Sequence, residues 1–418
     1  MYLLICTSVP FRGLAAVLKT QMACNLINAK KMPSHTSMRR WINQVGHYKL
    51  TKAKEKADDW IYFIDNSMRI ENRKVFLILG SRLSKLKKGK YLSYEDLEPI
   101  AINIIEKNSE IEKVIENAIA ETGNPIQICS DTGSDIMPSV RKIISKNPKT
   151  KHIPDIMHKT GNMLKKKLEN DIRWKTFINF VNDSKRRLCL SSLSFICPPN
   201  LRGKSRFFNC QNVLEWANRA LIVLAEMTMV DPKWYEMNEK LGWLIGCKQN
   251  IALFTELFRM TALAKEIVRK LHIGRDVCEV AEELLKEEVK TEEGLLFANG
   301  ILDFLKEQCN KTDEGILLVG SSEIIESAFS KLKLLDRECG NSGFTSSVLG
   351  LAACFGPTDF KSIEAAFEES DFKDVVKWGE EHVGETIQKK RRKVLKFQKR
   401  EDLNSKLTRF FDKKTAAA

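Results

Sequence analysis

The sequence predicts an α/β protein whose mixed sheet is interrupted by a long all-helical insertion. Short apolar runs with strand character alternate with helical patterns between residues 57 and 172, whereas residues 173–312 are helical in pattern throughout. The chain has 418 residues, 43% of them hydrophobic, and this is too long for one ordinary core. We therefore expect roughly two or three structural units.

Residues 1–56 are predicted to form a helical, helix-turn-helix-like unit. One helix can cover residues 11–30, and a second follows at 33–46, with Pro33 and Ser34 as start signals and Gly46 as a stop signal.

The polar face of this second helix carries Arg39, Arg40 and Asn43, opposite an apolar face that includes Met38 and Ile42. Such a polar set suits a recognition helix in the major groove of DNA. A solvated amphipathic helix is the alternative interpretation.

Residues 57–172 contain the elements of a sheet with covering helices. The predicted strands are 60–70, 74–82, 125–129 and 152–156, and the predicted helices are 94–120, 138–145 and 164–172. The order of these elements resembles the first part of an RNase H-like core.

Three acidic residues are placed where strands or a helix would present them to one centre. Asp65 and Asp131 each follow a buried apolar run, and Glu326 lies in the amphipathic stretch 321–329. Carboxylates are the ligands that hard divalent cations prefer, and a two-metal site for in-line displacement at a phosphodiester needs such a set. The pattern predicts a two-metal nuclease centre.

Other interpretations of these acids stay open at this point. Each aspartate could instead cap an ordinary turn after its strand. Glu323 lies one turn before Glu326 on nearly the same helix face and competes with it as the third ligand, while Asp135 competes as a neighbour of Asp131.

The motif Asp155-Ile156-Met157-His158 follows the second aspartate, and Glu326-Ser327-Ala328-Phe329-Ser330 follows the insertion. Here the chain resembles the DDE/D transposases of bacterial insertion sequences, in particular the hAT-type and related groups with a C/D-x-x-H element. The resemblance implies that Asp65, Asp131 and Glu326 bind two Mg²⁺ or Mn²⁺ ions. It also implies that Asp155 and His158 support the active site.

The remaining units are also expectations. The helical pattern predicts an all-α insertion over residues 173–312, and the resemblance implies that residues 313–375 form the second part of the core with the catalytic helix. Residues 376–418 form a basic tail in which Lys389, Arg391 and Arg392 are expected to contact DNA phosphates. A solubilising surface helix is the alternative for this tail.

The formal net charge of +14 favours a polyanionic partner, because Lys and Arg neutralise phosphates and release counterions. The eleven cysteines form no CxxC pair, which is typical of a reducing intracellular setting. We expect a cytoplasmic, nucleoid-associated bacterial protein with no membrane span.

Together these patterns predict a DNA transposase that cleaves transposon ends and transfers the freed strand into target DNA. Its expected partners are double-stranded DNA, at the element ends and at the target, and further copies of itself, since the resemblance implies a homo-oligomer. Two alternatives are an RNase H-fold nuclease without strand transfer and a catalytically idle, transposase-derived DNA-binding protein.

Overall fold

The computed structural model describes residues 5, 7, 9–29, 31–70, 72–201, 210–227, 233–337 and 344–395. Most of the predicted basic tail, from residue 396 onward, lies outside these ranges.

The centre of the molecule is a five-stranded mixed sheet with the order β3-β2-β1-β4-β5. The strands are β1 (Trp60–Ile70), β2 (Arg73–Arg82), β3 (Glu98–Ile105), β4 (Gln127–Ser130) and β5 (Lys151–Pro154). The first three strands pair antiparallel, and β4 and β5 run parallel to β1. This sheet, with its large helical insertion, confirms the predicted fold class.

The helices are numbered in chain order. Those before the insertion are α1 (Phe11–Ala23), α2 (His35–Thr51), α3 (Glu110–Thr122), α4 (Met137–Lys146) and α5 (Ile156–Leu168). The next seven are α6 (Ile172–Leu188), α7 (Cys210–Glu226), α8 (Trp234–Leu241), α9 (Trp243–Gly246), α10 (Lys248–Leu271), α11 (Arg275–Glu288) and α12 (Glu292–Cys309). The last five are α13 (Glu323–Arg337), α14 (Leu349–Ala353), α15 (Phe360–Glu369), α16 (Phe372–Trp378) and α17 (Ile387–Leu395).

Alternation along β1 separates the two faces of the sheet. Trp60, Tyr62 and Ile64 point into a cluster with residues of α3 and α4. Ile61 and Phe63 point to the other face, which is covered by α13 and α14. The sheet is therefore buried on both sides, as its continuous apolar runs require.

The insertion has a large core, built from helices α6 to α12 and continuous with buried residues of β5 and α5. Trp174 of α6 packs edge-on against Phe254 and stacks with Phe258, both from α10. The buried carboxylate of Glu256, also in α10, accepts hydrogen bonds from the backbone N–H groups of Lys290 and Thr291 and so anchors the start of α12. In the described part of the chain, no helix is both long and apolar enough to span a membrane.

The prediction of one helix over residues 94–120 was wrong, because its first part forms strand β3. This strand lies at the edge of the sheet and pairs only with β2. Pro99 is tolerated there because an edge strand has one side free of ladder hydrogen bonds. The decisive factor is pairing with β2, which the local sequence pattern does not encode.

Helix α2 also differs from its prediction, because it continues past Gly46 to Thr51. A Cβ atom at Gly46 would lie 1.9 Å from the backbone oxygen of Leu349, so the glycine permits close contact with α14 and is not a stop signal. Asn43, predicted on the exposed face, is only 4% exposed, and that prediction was wrong. The helix packs on two sides, against α1 and against the elements at 349–378.

We expect the substitution Gly46→Ala to destabilise the fold by about 2–3 kcal/mol, because the backbone of α14 must shift to accept the methyl group. Urea unfolding of the full chain measures this change. Gly13→Ala in α1 is the matched control, since the nearest atom to its added Cβ is 3.7 Å away. That variant should be neutral or slightly stabilising, and equal losses from both variants would contradict the close-packing argument.

Candidate active site

Strand register places Asp65 and Asp131 side by side. In the parallel pair β1–β4, Ile64 lies opposite Ser130, so the two aspartates take the next position, Asp65 within β1 and Asp131 directly after β4. By alternation they share the sheet face of Phe63 and Cys129. A rigid sheet therefore brings the two carboxylates together.

Helix α13 covers this face and carries Glu326. Ile325, Ala328 and Phe329 are buried in the cluster that covers Phe63, which fixes the helix against β1. Glu326 lies between these anchors, and its Oε1 is 3.0 Å from Nε2 of His158. The structure thus brings together four of the residues expected from the sequence.

The two aspartates lie in a poorly solvated, electronegative environment. Burial, and then the neighbouring Asp131 carboxylate, raise the pKa of Asp65 to about 7. Burial also raises the pKa of Asp131, although the hydrogen bond that it accepts from the backbone N–H of Gly133 opposes this. Negative charge at this position is therefore costly without a nearby cation.

His158 supplies positive charge to the same cluster. Its hydrogen bond to Glu326 raises the pKa of His158 to about 9, so the imidazole is protonated at neutral pH. The imidazolium in turn lowers the pKa of both Asp65 and Asp131. His158 is the group that partly balances the three acids.

Asp155 links two elements of the site and is almost fully buried, at 1% exposure. It precedes α5, where its side chain accepts a hydrogen bond from the backbone N–H of His158 at 2.9 Å. Its other oxygen accepts hydrogen bonds from both the backbone N–H and the hydroxyl of Ser322, just before α13. Asp155 therefore fixes the relative positions of His158 and of the helix that carries Glu326.

Asp135 lies beside Asp131 but is already neutralised. Its Oδ2 accepts hydrogen bonds from Lys74 Nζ at 2.6 Å and from Asn66 Nδ2 at 2.9 Å. A Cβ atom at Gly133 would lie 2.8 Å from an Asp135 oxygen and 3.0 Å from an Asp131 oxygen. The glycine thus keeps the space between these two carboxylates open.

Glu323 faces away from the three acids, toward the insertion. Its carboxylate is 2.7 Å from Lys265 Nζ and 3.2 Å from Arg269 Nε, both in α10. Glu326, in contrast, contributes to the pKa of Asp65. The geometry therefore favours Glu326 over Glu323 as the third acid and gives Glu323 a role in joining the insertion to α13.

The side chains of Asp65 and Asp131 are suitable ligands for a divalent cation, because both are carboxylates and their negative charge is poorly compensated by the surroundings. Glu326 is a third carboxylate of the same kind, and one of its oxygens, Oε1, is held by His158. In the described ranges, accordingly, no group of three or more His, Cys, Asp or Glu side chains is placed to hold a metal ion.

The residues predicted to bind DNA occupy different surroundings. Arg40 is exposed and its guanidinium lies 4.8 Å from the ring centre of Phe372, while Arg39 is partly exposed. Lys389, Arg391 and Arg392 are all exposed on α17. Asn43 is buried, so it cannot reach a base edge in this arrangement.

The sequence interpretation missed several residues that organise the site. Lys74 neutralises Asp135, Asn66 donates a hydrogen bond to it, and Ser322 contacts Asp155. Gln127 exchanges hydrogen bonds with the backbone of Val319 across 192 positions. A serine before a helix is a recognisable signal for Ser322, but only the fold brings the other partners together.

Comparisons with known proteins give limited information. No family model matches the sequence, and no curated protein matches it. One solved structure that matches is the Drosophila P element transposase strand transfer complex, with 12% identity and a TM-score of 0.34 over 89% of this chain and 90% of that chain. At this level of similarity, function has to be argued from the residues of the site.

We expect Glu326→Gln to lower the pKa of His158 toward its ordinary value, because the variant removes the charged hydrogen-bond partner. Glu323→Gln, one turn away and bonded to Lys265, should leave that pKa unchanged. NMR titration of the imidazole, assigned with a His158→Asn variant, measures both. Equal effects from the two glutamates would contradict the placement of the side chains.

We expect Asp65→Asn to stabilise the metal-free protein at pH 8. The folded pKa of about 7 lies above the ordinary 3.8, so Asp65 lowers stability progressively as pH rises through this interval. At pH 8 the gain should be roughly 2 kcal/mol after allowance for solvent screening, and near pH 4 it should vanish.

Thermal unfolding in EDTA at the two pH values measures this stability difference. Exposed Asp58 provides the matched control, Asp58→Asn, which should change little at either pH. A loss of stability in Asp65→Asn at pH 8 would show that the Asp65 carboxylate is not in a repulsive environment.

Proposed function

We propose that the chain is a DNA transposase that cuts DNA at the ends of a mobile element and joins the freed strand to target DNA. The observation that carries the proposal is the position of Asp65, in β1, beside Asp131, directly after the parallel strand β4, beneath the helix that bears Glu326. An acidic centre of this kind suits phosphoryl transfer with divalent cations.

In this proposal Asp65 and Asp131 hold Mg²⁺ or Mn²⁺, and Glu326 joins them when its contact with His158 is released. Two such ions, when bound, would activate the attacking oxygen and stabilise the leaving oxygen. Asp155 positions the helix that carries Glu326, and His158 supplies counter-charge before the cations bind. Gly133 leaves room beside the carboxylates.

Double-stranded DNA is the proposed partner, at both the element ends and the target. Lys389, Arg391 and Arg392 form an exposed basic surface on α17 that can bind phosphates without reading sequence. Arg39 and Arg40 offer a second contact on α2.

Action on paired ends would require a homo-oligomer. A bacterial insertion-sequence origin and a nucleoid-associated location stay predictions from the resemblance.

A catalytically idle DNA-binding protein is the second candidate function. The observation that favours it is the ion pair between His158 and Glu326, which occupies the third acid. A nuclease without strand transfer would use the same three acids, and only its products distinguish it from a transposase.

The proposal predicts Mg²⁺- or Mn²⁺-dependent cleavage of DNA that carries the ends flanking this gene. Asp65→Asn, Asp131→Asn and Glu326→Gln should each lower cleavage at least about a hundredfold, because each removes a charged ligand. Glu323→Gln should retain most of the activity. Gel analysis separates cleaved ends from strand-transfer products.

Cation binding is measured independently as the rise in melting temperature on adding Mn²⁺, which should be lost in Asp65→Asn. Cleavage without joined products would support the nuclease alternative. Binding of the ends without cleavage, and without a Mn²⁺-dependent rise in melting temperature, would support the idle DNA-binding protein and refute the proposal.

A further inference from the structure

Two cysteines from neighbouring helices meet inside the insertion. Cys278 lies in the first turn of α11, and Cys309 is the last residue of α12. Their Sγ atoms are 3.0 Å apart, both thiols are free, and both side chains are partly buried. The two positions are 31 residues apart in sequence, so a short cysteine motif could not predict this contact.

The contact lies where the insertion returns to the core. Cys309 Sγ also lies 3.2 Å from the backbone oxygen of Gly274, which it can reach as a donor. The neighbouring residue Ile273 exchanges two backbone hydrogen bonds with Leu318, at 2.6 and 2.9 Å. A covalent bond between the two sulfurs would therefore link the start of α11 to the end of α12, close to this bridge.

We propose that Cys278 and Cys309 form a reversible disulfide when the protein meets a peroxide oxidant. The sulfurs need to approach by only about 1 Å to reach the disulfide bond length, and both sit on helices that already pack together. This modification is independent of the proposed catalytic function.

The chemistry proceeds in two balanced steps. The thiolate of Cys278 attacks hydrogen peroxide, the O–O bond breaks, and Cys278 becomes a sulfenic acid while hydroxide leaves. The sulfur of Cys309 then attacks the sulfenic sulfur, the S–O bond breaks, and water leaves with the thiol proton. Overall two thiols lose two electrons and two protons, and one peroxide is reduced to two waters.

Burial keeps Cys309 in its thiol form. Burial, and then the hydrogen bond with Cys278, raise the pKa of Cys309 to about 12, so Cys309 is rarely a thiolate in solution. Cys309 is therefore written as the thiol that resolves the sulfenic acid, and the same disulfide forms if the two sulfurs exchange roles.

The test uses the full chain, reduced, freed of reductant and treated with stoichiometric hydrogen peroxide. After alkylation of free thiols under denaturing conditions, protease digestion and mass spectrometry should show one peptide pair joined through Cys278 and Cys309. Its mass should be about 2 Da below the sum of the reduced peptides. Dithiothreitol should separate the pair, and the oxidised protein should melt a few degrees higher.

Two variants compare a cysteine of the pair with a cysteine outside it. Cys309→Ser should abolish the joined peptides and leave Cys278 as sulfenic or sulfinic acid, whereas Cys247→Ser, at a partly buried cysteine of the same insertion, should change nothing. If wild-type Cys278 is over-oxidised without joining Cys309, or joins another cysteine instead, the proposal is overturned. Since mapping of the wild-type chain decides this, poor folding of a variant does not affect the test.

Discussion

The attachment of the segment Val319–Ser322 to the sheet is the constraint on which the rest of the structure depends. Val319 exchanges two hydrogen bonds with the buried side chain of Gln127, and the backbone oxygen of Gly320 accepts a hydrogen bond from Ile156 at 2.8 Å. Ser322 donates to Asp155, which lies 167 positions earlier. These buried contacts return the chain from the insertion to the edge of the parallel strands and set where α13 begins.

Much of the sheet and of the acidic centre could be predicted from the sequence, because the positions of these residues depend on local periodicity. The apolar run that forms β1 alternates between two faces, and the parity of Asp65 puts it on the face covered by α13. The insertion likewise consists of helices, α6 to α12, as its periodicity predicts. The apolar faces of these helices are long enough to be recognised in the sequence without knowledge of tertiary contacts.

The features that the sequence did not reveal all depend on distant partners. Strand β3 forms because its residues pair with the edge of β2. Asn43 is buried because α2 packs on two sides. Glu323 and Glu326 look alike in sequence, and they differ only because α10 offers basic side chains to the first and His158 faces the second. Such distinctions arise from packing between elements far apart in the chain.

The hydrogen bonds of Val319 with Gln127 also have a consequence for the order in which the protein forms during synthesis. Strands β1 to β5 leave the ribosome long before α13, which supplies the apolar side chains over Ile61 and Phe63. At 5–20 residues per second, the 192 positions between these partners correspond to a delay of about 10–40 s. During that interval one apolar face of the sheet is uncovered, while the insertion, whose core includes residues of the earlier elements β5 and α5, can already fold against them. The nascent chain therefore passes through a stage that exposes an apolar sheet face, and this face is open to aggregation until α13 has been synthesised.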